Sequence, residues 1–269
     1  MIKKHPLTFY FIIAYIATWL LALPLILTKF GLTIVNPNWH FLAAFGPTIS
    51  AVLVTYASKR KQGVKDLMKT CFKWKVGVFW ILFSSLVVPF FLLLAIGLNF
   101  IFTGNVINLI AYLIDNGISN PVSILLWIWV GAISYGLFEE IGWRGYALPK
   151  LQEKYNPLIA TIILAILWAF WHVPLFFYRL SIQIVFGWFF GLFMGAIVLT
   201  FLFNSSGKSA LVAILFHITN NIVFLFNIAE VQMYVTIFMS IFVIIILIIG
   251  RTQLSTKRAE TKDLLTNKL

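Results

Sequence analysis

Eight apolar runs, each about 20 residues long, follow one another along this 269-residue chain. A helix of that length crosses a hydrocarbon core of about 30 Å. Lipid offers no partner to backbone N–H and C=O groups, so only helices and closed barrels cross it. The runs are continuous rather than alternating, which selects helices. The chain therefore reads as all-α, a polytopic membrane protein of about eight transmembrane helices with a polar site inside the bundle. The expected spans are 7–28, 39–57, 76–102, 121–147, 157–178, 182–203, 208–228 and 231–250. Breaker signals precede two of them, Asn36-Pro37-Asn38 and Asn156-Pro157. The first run ends without a small-residue cleavage site and reads as a retained helix, not a signal peptide. Residues 105–119 are weakly apolar and read as a short interfacial helix. There is no internal repeat. Residues 1–250 read as one transmembrane domain and 251–269 as a basic cytoplasmic tail.

Charge orients this threading. With the N-terminus inside, 18 of the 20 Lys and Arg residues fall on the cytoplasmic side, seven of them between 58 and 75. Only Lys29 and Arg179 fall outside. Cytoplasmic loops collect Lys and Arg, so both termini are expected in the cytoplasm. The preference for Lys over Arg and for Ile and Phe fits a low-GC bacterium, which makes the expected location a bacterial plasma membrane. Basic flanks that touch anionic lipid headgroups account for the formal net charge of +12. Membrane lipids are thus expected partners and nucleic acid is not. The single cysteine, Cys71, excludes an internal disulfide. It has no neighbouring histidine to activate it as a nucleophile.

Only 8 residues are Asp or Glu, and two of them, Glu139 and Glu140, stand together in "YGLFEEIGWRGYALPKLQ". Ionisable side chains at membrane depth are costly, and they mark functional paths or buried pairs. Glu140 and Arg144 are four apart and share a helical face, so they can pair. Glu139 lies about 100° around the helix and faces elsewhere. One carboxylate thus has a counter-ion and the other is free for acid/base work. The remaining polar groups at depth are His172 in "LWAFWHVPLFF" and His217 with Asn221 in "FHITNN". Asn99, near the end of the third run, reads as interfacial. Taken singly, each has a bland reading as a core histidine, a structural ion pair or an asparagine joining helices. Their concentration on three helices favours one shared site.

In chain order, "EEIGWR" has the form E-E-x-x-x-R, "WAFWH" ends in His172, and "HITNN" contains H-x-x-x-N. Together they resemble the three motifs of the CAAX-protease and bacteriocin-processing (CPBP) family of intramembrane proteases. That family includes the eukaryotic Ras-converting CAAX endopeptidase and bacterial Abi-type proteins. The chain departs from its pattern at Trp168, where the family has Phe; an aromatic is kept, and a packing role is expected. The resemblance implies that Glu139 and His172 activate a water and that His217 and Asn221 stabilise an oxyanion. Glu140, Arg144 and Trp168 would support them. No H-E-x-x-H is present and Asn is a poor zinc ligand, so no cofactor is expected. The metalloprotease form of the same reading would place zinc on Glu139, His172 and His217.

The expected function is an intramembrane endopeptidase. Its substrate would be membrane-associated, either a prenylated CAAX-like protein or a leader or bacteriocin peptide. The alternative is a non-catalytic bacteriocin-immunity or interaction protein of the same fold. A proton-coupled transporter is a weaker third reading, because transporters commonly show repeated halves.

Overall fold

The computed structural model describes residues 1–250, 253 and 254. The expected tail at 251–269 lies outside the described residues, apart from Gln253 and Leu254. Every described element is helical. In chain order they are α1 (Pro6–Lys29), a 3-10 segment (Pro37–Ala44), α2 (Phe45–Cys71), α3 (Val78–Thr103), the short α4 (Leu109–Asp115) and α5 (Pro121–Gln152). Then come α6 (Pro157–Trp171), the single turn α7 (Leu175–Tyr178), α8 (Val185–Ser205), α9 (Ala210–Leu225) and α10 (Ala229–Ile249).

Among the described residues, seven helical stretches are long and apolar enough to cross a membrane, against the eight expected. The exception is α9, which has 16 residues and so spans about 24 Å at 1.5 Å per residue, short of a core of about 30 Å. It packs between α3, α5 and α8 and buries Val212, Ala213, Ile214 and Phe216. A helix sheathed by others need not span the bilayer, and this is the helix that carries His217 and Asn221.

Two further expectations shift. The second run begins with the 3-10 segment and continues as α2 through most of the basic stretch 58–75, which is therefore largely helical. Helical geometry breaks once within α2, at Arg60, where φ is 56°. The fifth run stops at Trp171, and His172 caps it. Pro174 cannot continue a helix, so the chain turns before α7. Asn99, expected at the interface, is buried within the protein, and its amide donates to the Asn105 carbonyl at 3.2 Å.

Helix faces sort by size as well as polarity. On α1, the residues Tyr10, Ala14, Thr18 and Ala22 are buried, while Ile12, Ile16 and Leu20 are exposed on the face left to lipid. Small residues let membrane helices approach closely, since lipid supplies no hydrophobic drive between them. Glycines on α5 serve this purpose. A Cβ on Gly136 would lie 2.5 Å from Ile218 Cγ1 and 2.8 Å from the Ile218 nitrogen. One on Gly142 would lie 2.4 Å from Pro47 Cβ.

The α5–α9 contact at Gly136 has a testable consequence. Gly136→Ala drives a methyl into backbone and should destabilise the protein by about 1–3 kcal/mol, the usual cost of overpacking. Gly97→Ala, where nothing lies within 4 Å of the new methyl, is the matched control. Unfolding both variants in detergent checks this. Equal stability for the two would show that α5 and α9 are not held at this distance.

Candidate active site

The carboxylate pair sits on α5 between two π-helical turns, Trp129–Ile133 and Trp143–Ala147. A π turn adds a residue to the helical repeat, and such turns gather at functional sites. Both carboxylates and Arg144 are almost completely buried.

Glu140 pairs with Arg144 as its spacing predicts, with Nη1 donating to Oε1 at 3.0 Å. The same oxygen accepts a hydrogen bond from His217 Nδ1 on α9 at 2.8 Å. Glu140 therefore does more than hold α5: it orients a histidine from another helix. Arg144 also lies over the Trp168 ring, 4.9 Å from its centroid, a cation–π contact. Arg144 Nε and Nη2 and Glu140 Oε2 have no hydrogen-bond partner among the described residues.

Glu139 faces the other way, and its Oε2 is held by two tryptophans. Trp143 Nε1 donates at 3.1 Å and Trp168 Nε1 at 2.5 Å. Both hydrogen bonds land on one oxygen, leaving Oε1 without a protein donor among the described residues. Trp168 thus carries more than a packing role. It bonds Glu139 through its indole, and its carbonyl accepts from His172 Nδ1 at 2.8 Å. A carbonyl can only accept, so Nδ1 carries a proton, and in the neutral ring Nε2 keeps the lone pair. The edges of Trp171 and Trp188, at 4.6 and 4.8 Å between ring centroids, hold the imidazole in place.

These side chains border a cavity of about 800 Å³, lined by Trp168, His172, His217, Asn220 and Asn221. Apolar residues of α8, α9 and α10, among them Leu192, Leu199, Phe216 and Met239, make much of the remaining wall. His172 at the end of α6 and His217, Asn220 and Asn221 on α9 therefore meet on one surface. Glu139 does not line the cavity; it stands behind Trp168. Among the described residues, no group of three or more His, Cys, Asp or Glu side chains is gathered so as to hold a metal ion. Glu139, His172 and His217 form no such group.

Sequence reasoning passed over Trp143 and Asn220. Trp143 was within reach, because it follows Glu139 by four residues, the spacing that pairs Glu140 with Arg144. Asn220 is adjacent to a chosen residue and carries no separate signal.

The helices and the buried polar cluster define a polytopic membrane protein with a polar centre opening on a largely apolar cavity. Residues 121–223 match the family model of the type II CAAX prenyl endopeptidases, Rce1-like. The chain is also 30% identical over 189 residues to the CAAX prenyl protease 2 of Methanococcus maripaludis, covering 65% of this chain and 67% of that protein. The chain belongs to the Rce1-like CAAX prenyl endopeptidase family and is, at that level, a membrane endopeptidase.

Proposed function

We propose that the chain hydrolyses a peptide bond in a membrane-associated substrate, using a water activated by Glu139 and His172. The observation that carries this reading is the shared cavity: His172, His217 and Asn221 border it, and its Trp168 wall holds Glu139. In this mechanism the water oxygen attacks the scissile carbonyl carbon. Its proton passes to Glu139 Oε1, which requires the water to reach past Trp168 from the cavity, while His172 Nε2 orients the water. The carbonyl electron pair moves onto oxygen, where His217 Nε2–H and Asn221 Nδ2–H donate to the oxyanion. For Nε2 to donate, the His217 ring must carry both protons, and the Glu140 carboxylate on Nδ1 supplies the countercharge. Collapse breaks the C–N bond, and Glu139 returns its proton to the leaving amine.

The apolar wall suits a substrate whose reacting segment is oily, which favours a prenylated CAAX-like C-terminus over a polar leader peptide. The test is cleavage by purified protein in detergent, read by mass spectrometry, of farnesylated CAAX peptides, their unprenylated forms and a general peptide library. Wild type should cleave the farnesylated set and Glu139→Ala should not. Equal products from both would remove Glu139 from the chemistry, and none from any peptide would move the chain to the immunity or interaction reading.

No step of this mechanism passes through a metal. Exhaustive chelation should therefore leave the cleavage rate unchanged. A stoichiometric zinc lost and regained together with activity would overturn the metal-free mechanism and make Glu139, His172 and His217 its ligands.

A further inference from the structure

The two cations that break the charge asymmetry, Lys29 and Arg179, lie 150 residues apart in sequence and line the same pocket. It has a volume of about 230 Å³ and is bordered by Leu25, Thr28, Val35, Pro37, His40 and Tyr178 besides the two cations. Lys29 ends α1 and Arg179 follows α7. The pocket thus sits at the end of the bundle opposite the basic half of α2, because α1 and α2 run antiparallel. No orientation rule calls for cations here; 18 of the chain's 20 are elsewhere.

Two like charges brought to one cleft repel, and an acidic neighbour would relieve this. None is present: no Asp or Glu lines the pocket, and the ion pairs among the described residues involve neither cation. The other polar walls are already spoken for. Thr28 Oγ1 donates to the Pro24 carbonyl at 2.9 Å. His40 Nε2 meets the Tyr135 hydroxyl at 2.7 Å, and that hydroxyl donates to the His40 carbonyl at 2.9 Å. Nε2 is therefore the ring's N–H, and Nδ1 accepts from the Tyr178 hydroxyl at 2.8 Å. The wall is hydrogen-bonded and neutral, and the free donors are the Lys29 ammonium and the Arg179 guanidinium. Arg presents a planar fork that matches phosphate, and Lys adds a compact point charge.

We propose that Lys29 and Arg179 form an anion site that takes a phosphate group. The pocket is smaller than the roughly 300–1,000 Å³ of sites for whole organic ligands, so it suits a headgroup phosphate. Its rim favours a lipid as the source, since Phe30, Leu32 and Ile34 beside Lys29 expose apolar side chains, Ile34 to 97%. Those side chains would lie against acyl chains while the phosphate enters between the cations.

Thermal unfolding of the purified full-length protein in detergent tests this without reference to peptidase activity. The probes are dihexanoyl phosphatidic acid, inorganic phosphate, and dihexanoylglycerol as the phosphate-free control. Wild type should show a saturable rise in Tm with the phosphatidic acid and none with the glyceride. Lys29→Gln and Arg179→Gln, both at exposed positions that leave packing intact, should each raise the half-saturating concentration by about tenfold. Lys29→Arg should retain the wild-type response. A silent inorganic phosphate assigns the site to lipid; an equal response to it assigns the site to free phosphate, and either result supports the phosphate site. An unchanged response in both Gln variants, an equal response to the glyceride, or no response to either phosphate probe overturns it.

Discussion

Glu139→Gln should lower peptide turnover by about 10²–10⁴-fold, the range for loss of a general base, with little effect on stability. The substitution is clean because of how the carboxylate is held. Trp143 and Trp168 both donate to Oε2, and an amide oxygen can accept both bonds. What is lost is the ability of the other terminal atom to take a proton. Asn221→Ala removes one oxyanion donor and should cost about 10²–10³-fold. The two variants separate in the pH profile. The base sets the low-pH limb of turnover, so Asn221→Ala should leave that limb in place. Glu139→Gln, which removes the base itself, should abolish it, and His172→Ala, which removes the partner that orients the water, should shift it. Rates measured across pH for the three variants and wild type decide the matter. Wild-type rates in all three would make these residues structural and defeat the proposed mechanism.

Arg144→Ala should destabilise the protein by about 3–5 kcal/mol, because removing one partner of a buried pair leaves an uncompensated charge in the interior. Glu140 would keep only His217 on Oε1, and Trp168 would lose the cation above its ring. Arg144→Lys is predicted to recover part of the loss; an ammonium can reach one oxygen, but it lacks the planar stack on the indole. Denaturant unfolding in detergent gives the magnitude. Full stability of Arg144→Ala together with lost turnover would place Arg144 among the reacting groups instead. Glu140→Gln is informative beside it, since it removes the countercharge from His217 while keeping a similar shape. Its effect should appear in turnover as well as in stability, because Glu140 joins the ion pair to the histidine on α9.

The membrane class, the helical content and the polar positions were legible in the amino-acid order, because each rests on local chemistry. An apolar run of about 20 residues requires a helix in lipid whatever surrounds it. A four-residue spacing puts two side chains on one helical face in any helix; this is why Glu140–Arg144 was readable and why Trp143 on Glu139 could have been. The uneven distribution of cations along the chain likewise sets Lys29 and Arg179 apart from the other 18. Tertiary structure alone decided what meets across helices. The His217–Glu140 hydrogen bond spans 77 residues, and no periodicity predicts which helix α9 will face. The close approach of α9 to α5 at Gly136 is a steric fact with no hydropathy signal. The same holds for Trp168, whose indole could have faced lipid but instead turns onto Glu139. It holds too for α9 itself, which reads as a span of 21 residues but forms a helix of 16 enclosed by α3, α5 and α8. Hydropathy reports that a segment avoids water; only packing determines whether lipid or protein replaces it.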